Sequence, residues 1–134
     1  MSPADPKRIT LQFNAQITEH NVSGLAALMT ADHTFIDRDG QVTAGKAAML
    51  DAWERFFTLF PDYYNTFTRV EAQGEFVVLS GYATWHPGDP PDPAIWTARI
   101  AGGFVAEWRI YPDTQENRRQ LFTLSFLAGN DWNE

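Results

Sequence analysis

An α+β fold is predicted by three observations. Helical apolar spacing dominates the chain before Tyr63, a period of two with β-branched and aromatic residues takes over after it, and glycine-containing turns divide that second part into hairpins. Helices first and strands later place the helices together on one face of a mostly antiparallel sheet. A chain of 134 residues, 44% hydrophobic and 14% aromatic, suffices for one core, so a single domain over residues 1–134 is expected, with 121–134 as a C-terminal tail.

Asp5 before Pro6 reads as an N-cap with proline in the first turn. Ile9, Phe13 and Ile17 then recur four apart, which predicts a helix to about His20. Asn21 caps a second, shorter helix whose Leu25, Leu28 and Met29 face the core. The stretch Ala31 to Gly40, A-D-H-T-F-I-D-R-D-G, reads as a strand ended by the turn formers Arg38, Asp39 and Gly40. Within it His33, Phe35 and Asp37 share one face, because side chains two apart point the same way. A carboxylate on the face shared with Phe35 is costly unless something uses or satisfies it.

A third helix begins at Thr43 to Gly45, and Met49, Ala52, Trp53, Phe56, Phe57 and Phe60 follow the three-four spacing until Pro61 stops it. Strands are expected near Tyr63 to Ala72 and Glu75 to His86, joined at Gln73 and Gly74. The run Pro87 to Pro93 contains four prolines and is expected as an exposed loop, since proline donates nothing to a ladder. A second hairpin follows, Ala94 to Ala101 and Phe104 to Tyr111, turning on Gly102 and Gly103. Pro112 ends it, and Asp113 or Thr114 caps a short polar helix through Arg119. Leu121, Phe122, Leu124, Phe126, Leu127 and Trp132 make the tail too apolar for water, so it packs on the body or on a second subunit.

The formal charge of −7 and the scattered basic residues exclude a nucleic-acid binder, which needs clustered Lys and Arg. No apolar run approaches the ~18 residues that span a bilayer, and the start M-S-P-A-D-P-K-R has no signal-type apolar region, so a cytoplasmic protein off the membrane is expected. With no cysteine, thiolate catalysis and Cys-based zinc sites are ruled out. His20, His33 and His86 show no metal-ligand spacing, and no phosphate-binding glycine motif occurs, so neither metal nor cofactor is expected.

Three stretches in this order, L-A-A-L-M-T-A-D-H-T-F-I-D, then G-K-A-A-M-L-D-A-W followed by F-P-D, then V-A-E-W-R-I-Y-P-D, resemble the nuclear transport factor 2-like superfamily. That group includes ketosteroid isomerases and SnoaL-like polyketide cyclases, and the resemblance runs from about Ile9 to Arg119. It implies a cone-shaped α+β barrel in which a strongly curved sheet wraps three N-terminal helices and leaves a pocket for a small hydrophobic molecule. It also implies a homodimer paired through the outer sheet face.

Asp37 matches the position of the isomerases' general base, so the resemblance implies proton abstraction beside a carbonyl. The two oxyanion donors of that pattern are replaced, by Phe13 at the tyrosine position and at about Ile95 for the second aspartate. Neither can donate a hydrogen bond, which argues against steroid isomerisation and leaves isomerisation, cyclisation or dehydration of another carbonyl compound. The plain structural reading of Asp37 is a strand-end carboxylate bonded to Arg38, Arg99 or turn amides. His86 is the other candidate acid or base, whereas His33 lies roughly 13 Å along the strand from Asp37 and forms no dyad with it.

Besides Phe13, the expected pocket wall is Trp53, Phe56 and Phe57 on the third helix, Tyr64 after it, and Trp85, Trp96 and Trp108 on strands. Tyr64, Tyr82 and the indole N–H groups are replacement donors. The competing reading is a ligand-binding or dimeric assembly module of the same fold without catalysis.

Overall fold

The computed structural model describes residues 5–130, with side chains as far as Phe122. Asp5 caps α1 (Pro6–Thr18) by accepting the Lys7 amide, and Ile9, Thr10, Phe13 and Ile17 form its buried face. The helix stops short of His20, which takes a positive φ of 55°. That left-handed conformation is held on three sides: the His20 amide reaches Ile17, its ring donates to the Tyr63 carbonyl, and the same ring stacks on Phe57. Asn21 caps α2 (Val22–Leu28), which runs straight into β1 (Met29–Ile36).

The sequence reading missed β2 (Val42–Ala44), a three-residue strand paired antiparallel with β1. Thr43 therefore belongs to a strand and not to a helix start. The helix α3 (Lys46–Leu59) begins only after Gly45 turns the chain with φ 100°. Then come β3 (Tyr64–Gln73), β4 (Phe76–Thr84), β5 (Asp92–Ala101) and β6 (Phe104–Pro112). Asp92 and Pro93, expected in the loop, already belong to β5, at the strand start where a ladder tolerates proline. Gly102 and Gly103 both have positive φ, the conformation that a two-residue primed hairpin turn requires.

The strand order is β2-β1-β6-β5-β4-β3, with β1 parallel to β6 and every other pair antiparallel. Register shifts in three of these pairings mark bulges, which bend strands and give the sheet its curvature. The sheet is not a closed barrel, since β2 and β3 remain its two edges.

Strand alternation separates two cores. Inward residues such as Val77, Leu79, Trp96 and Trp108 pack with Phe13, Leu25 and Trp53 beneath α1–α3. Outward Val78 and Ile95 pack with Phe122 of α4 (Gln115–Asn130), and the Arg69 guanidinium lies 4.0 Å above the Phe122 ring. The helices are thus not all on one face. The expected short helix to Arg119 is longer because the apolar residues after it continue the helix, with Leu121 and Phe122 on the body. The side chains of Leu124, Phe126 and Leu127, and all of Trp132, lie outside the described residues. Among the described residues, no helix is long and apolar enough to cross a membrane.

Candidate functional site

A cavity of about 480 Å³ opens between the inner sheet face, α3 and the β1–β2 turn. Met49, Ala52, Trp53 and Phe56 line it from α3, while Phe35, Ala83, Trp85, Trp96 and Ile110 line it from the sheet. Polar groups gather at one side: Asp37, Arg38, Asp39 and Thr43 around the β1–β2 turn, with Asp92 and Tyr63 facing them. This volume falls in the range of small-molecule pockets, mostly apolar with a few convergent polar groups.

Asp37 stands one residue beyond β1, on the face it shares with Phe35. Its Oδ1 accepts the amides of Asp39 at 2.9 Å and Gln41 at 3.0 Å, so this oxygen is satisfied by the turn. Among the described residues nothing donates to Oδ2. Arg38 does not pair with Asp37. It makes a two-pronged contact with Asp92, Nη1 to Oδ1 at 3.3 Å and Nη2 to Oδ2 at 3.0 Å, and the Trp85 indole also donates to Asp92 Oδ2 at 3.0 Å.

The Arg38 hydrogen bond, helped by Trp85, holds the Asp92 carboxyl below its usual range despite partial burial. Burial pushes the Tyr63 hydroxyl well above the usual tyrosine value, against the opposing pull of Asn65 and Arg38, so it stays protonated and can donate. Two members of this cluster, Tyr63 and Asp92, escaped the sequence reading. Asp92 was hidden in the proline loop and Tyr63 was read only as a strand start, although D-P at a strand entry is a usable signal.

Five of the predicted site residues, Asp37, Trp53, Phe56, Trp85 and Trp96, line the cavity. Phe13, Phe57 and Trp108 are buried in the core behind the wall, with Phe13 packed between His33 and Trp108. Tyr64 is exposed on an edge strand, and Tyr82 points to the outer face because its neighbour Ala83 lines the cavity. His86 is exposed and lies outside the cavity lining, because β4 ends at Thr84 and the chain turns there, Asp89 donating to the His86 carbonyl. Ile95 also faces outward, so the inward position beside it belongs to Trp96. Among the described residues no group of three or more His, Asp or Glu is placed to hold a metal ion.

His33 is fully buried, with Nδ1 donating to the Val105 carbonyl at 2.7 Å and Nε2 unpartnered. Burial lowers its pKa from 6.5, outweighing Val105 and Asp32, which raise it. The unfolded chain therefore takes the proton first, and stability falls as pH drops below about 6.5. Asp92 acts in the same direction at lower pH: its contribution is present above 3.8 and fades as pH falls through its depressed folded value. Thermal melting across pH 3 to 8 is expected to show highest stability near neutrality and a decline beginning near 6.5. His33→Gln should flatten the first part of that decline, and an unchanged slope would exclude His33 as its source.

A SnoaL-like domain model matches residues 10–112, and no curated protein matches the sequence. Solved structures share the fold at low identity. A candidate SnoaL-like polyketide cyclase from Shewanella putrefaciens superposes with a TM-score of 0.72 at 20% identity, covering 88% of this chain and 86% of its own. An uncharacterised cystatin-fold protein from Novosphingobium aromaticivorans gives 0.70 at 18%, covering 82% and 97%. A candidate ketosteroid isomerase from Kribbella flavida gives 0.67 at 20%, covering 81% and 78%. The domain match runs from within α1 to the end of β6 and so takes in the curved sheet and the cavity together, and on that ground the chain belongs to the SnoaL-like domain family.

Proposed function

We propose that this protein binds a small, largely apolar carbonyl compound and moves a proton on the carbon beside the carbonyl, with Asp37 as base and no cofactor. The observation that carries this reading is the position of Asp37, a carboxylate at the rim of an aromatic cavity with one oxygen fixed by the turn and the other without a donor among the described residues. A fixed carboxylate beside an apolar chamber suits proton abstraction, because the base is oriented and water is partly displaced. The protonated Tyr63 hydroxyl, also in the lining, is available to the developing enolate oxygen. The cyclase and isomerase descriptions of the Shewanella and Kribbella proteins are compatible with such chemistry.

The test is deuterium incorporation at the carbon beside the carbonyl of 1-tetralone in D2O, followed by mass spectrometry. Incorporation above the buffer rate that survives Asp37→Asn removes Asp37 from its role. Binding without exchange supports the second reading, a ligand-binding module, which is favoured by the absence of His86 from the cavity lining. We extend the proposal to a homodimer, for which light scattering should give about twice the 15.2 kDa chain mass. A mass near that of one chain would sink it.

A further inference from the structure

Among the described residues, His20 is the one non-glycine residue with a positive φ, and the hydrogen bonds around it show where that conformation comes from. Its amide reaches the Ile17 carbonyl and the Asn21 amide reaches that of Gln16, the paired bonds of a Schellman turn closing α1. Glycine is the default at this left-handed position, since a Cβ there is strained. Histidine offers the turn nothing that glycine would not. What it adds is a ring with two fixed contacts. One is the stack on Phe57 of α3, with centroids 4.2 Å apart and planes 7° from parallel. The other is Nε2, 2.9 Å from the Tyr63 carbonyl oxygen, which can only accept, so this nitrogen carries the proton.

Tyr63 stands in the short link between α3 and β3, with its amide bonded to the Phe60 carbonyl at 3.2 Å. It lines the cavity, its ring edge-on to Phe56 at 4.8 Å and to Trp85 at 4.9 Å. The backbone of this link is thus held by a residue 43 positions earlier that does not itself line the cavity. We infer that His20 is a positioning residue: its ring fixes the Tyr63 backbone and, through it, the place of the Tyr63 hydroxyl in the cavity wall. The role rests on the enolate contact given to Tyr63 above and adds the residue that aims it. A helix-ending turn alone does not require a strained histidine, and backbone strain collects where geometry serves function. Losing the ring frees the Tyr63 carbonyl, and a displacement of about 1 Å is enough to slow a reaction that depends on a group's position.

Three variants of the full chain separate the ring from the turn. His20→Gly and His20→Ala both remove the ring, but glycine relieves the positive φ and alanine keeps it, so the Ala variant should melt about 3 to 6 °C below the Gly variant. His20→Gln keeps an N–H donor of similar reach. Deuterium exchange into 1-tetralone is expected to fall about 10- to 100-fold in kcat in the Gly and Ala variants alike, with KM little changed, and to recover in part with Gln. In a Tyr63→Phe background, His20→Gly should add no more than about a 2-fold loss, because both changes act through one hydroxyl. A readout free of catalysis comes from tyrosine labelled with 13C at Cζ, which gives four signals, the one from Tyr63 assigned by Tyr63→Phe. That signal should shift or broaden in the Gly and Ala variants while the other three hold.

A Tyr63 signal unmoved in the Gly variant would overturn the inference, and so would exchange that ranks the variants by melting temperature instead of by their donor. The Gly variant decides the first point even if Ala or Gln fails to fold. Failure of the catalytic reading looks different. If the wild type exchanges no faster than buffer, or Tyr63→Phe exchanges as fast as the wild type, the enolate contact is removed, and a moved Tyr63 signal still leaves His20 as the residue that places Tyr63.

Discussion

Replacing Asp37 with Asn is expected to slow deuterium exchange into 1-tetralone by about 10²- to 10⁴-fold, the usual worth of a positioned general base. The substitution is chosen for what it keeps. Asn retains a carbonyl oxygen that can accept the Asp39 and Gln41 amides as Oδ1 does now, so the turn that ends β1 should hold. What it loses is the second carboxylate oxygen, the one without a donor among the described residues. Melting temperature and tetralone affinity should therefore change little while exchange collapses. If both fall together, Asp37 is a turn residue whose removal deforms the rim, and the catalytic reading fails. Asp37→Ala gives the complementary measurement, because it removes base and turn acceptor at once and should cost stability as well as exchange.

The helices were legible because their information is local. Ile9, Phe13 and Ile17, and the stripe from Met49 to Phe60, carry their period within a few residues, and capping by Asp5 and Asn21 needs no distant partner. Asp37 was legible for the same reason, since two-residue parity with Phe35 puts both on one face wherever the strand lies. The strand β2 was not, because Val42–Ala44 is too short to display alternation and exists through pairing with β1. Ile95 and Trp96 show the limit of counting along a strand: an error of one residue exchanges the outer face for the cavity, and register is fixed by neighbouring strands.

The rim was hidden for a different reason. Arg38 and Asp92 lie 54 positions apart, and no local pattern announces that they meet. The outer core was legible only as one of two alternatives, because an apolar run after a polar helical turn packs equally well on the body or on a second subunit. Only the outward parity of Val78 and Ile95, buried with Phe122, decides between them.

Gly81→Ala is expected to destabilise the fold by roughly 1–3 kcal/mol, or about 3 to 12 °C in melting temperature, although it adds a single methyl group. Gly81 lies within β4 opposite Phe67, where the pairing with β3 slips register between Phe67 and Arg69. A Cβ at Gly81 would fall onto the Thr66 carbonyl oxygen and sit 2.9 Å from Phe67 Cα. Both obstacles are backbone, so no side-chain rotation relieves them and β3 itself must move. The glycine thus lets β3 cross close over β4 at the bulge, and the bulge bends the sheet around the cavity. Phe67, next to the obstacle, packs edge-on against Trp96, and Tyr63 in the lining directly precedes β3. Displacing β3 should therefore weaken 1-tetralone binding together with stability. A variant that melts like the wild type and binds 1-tetralone equally well would show that the bulge relaxes freely and that the close crossing at Gly81 does not shape the cavity.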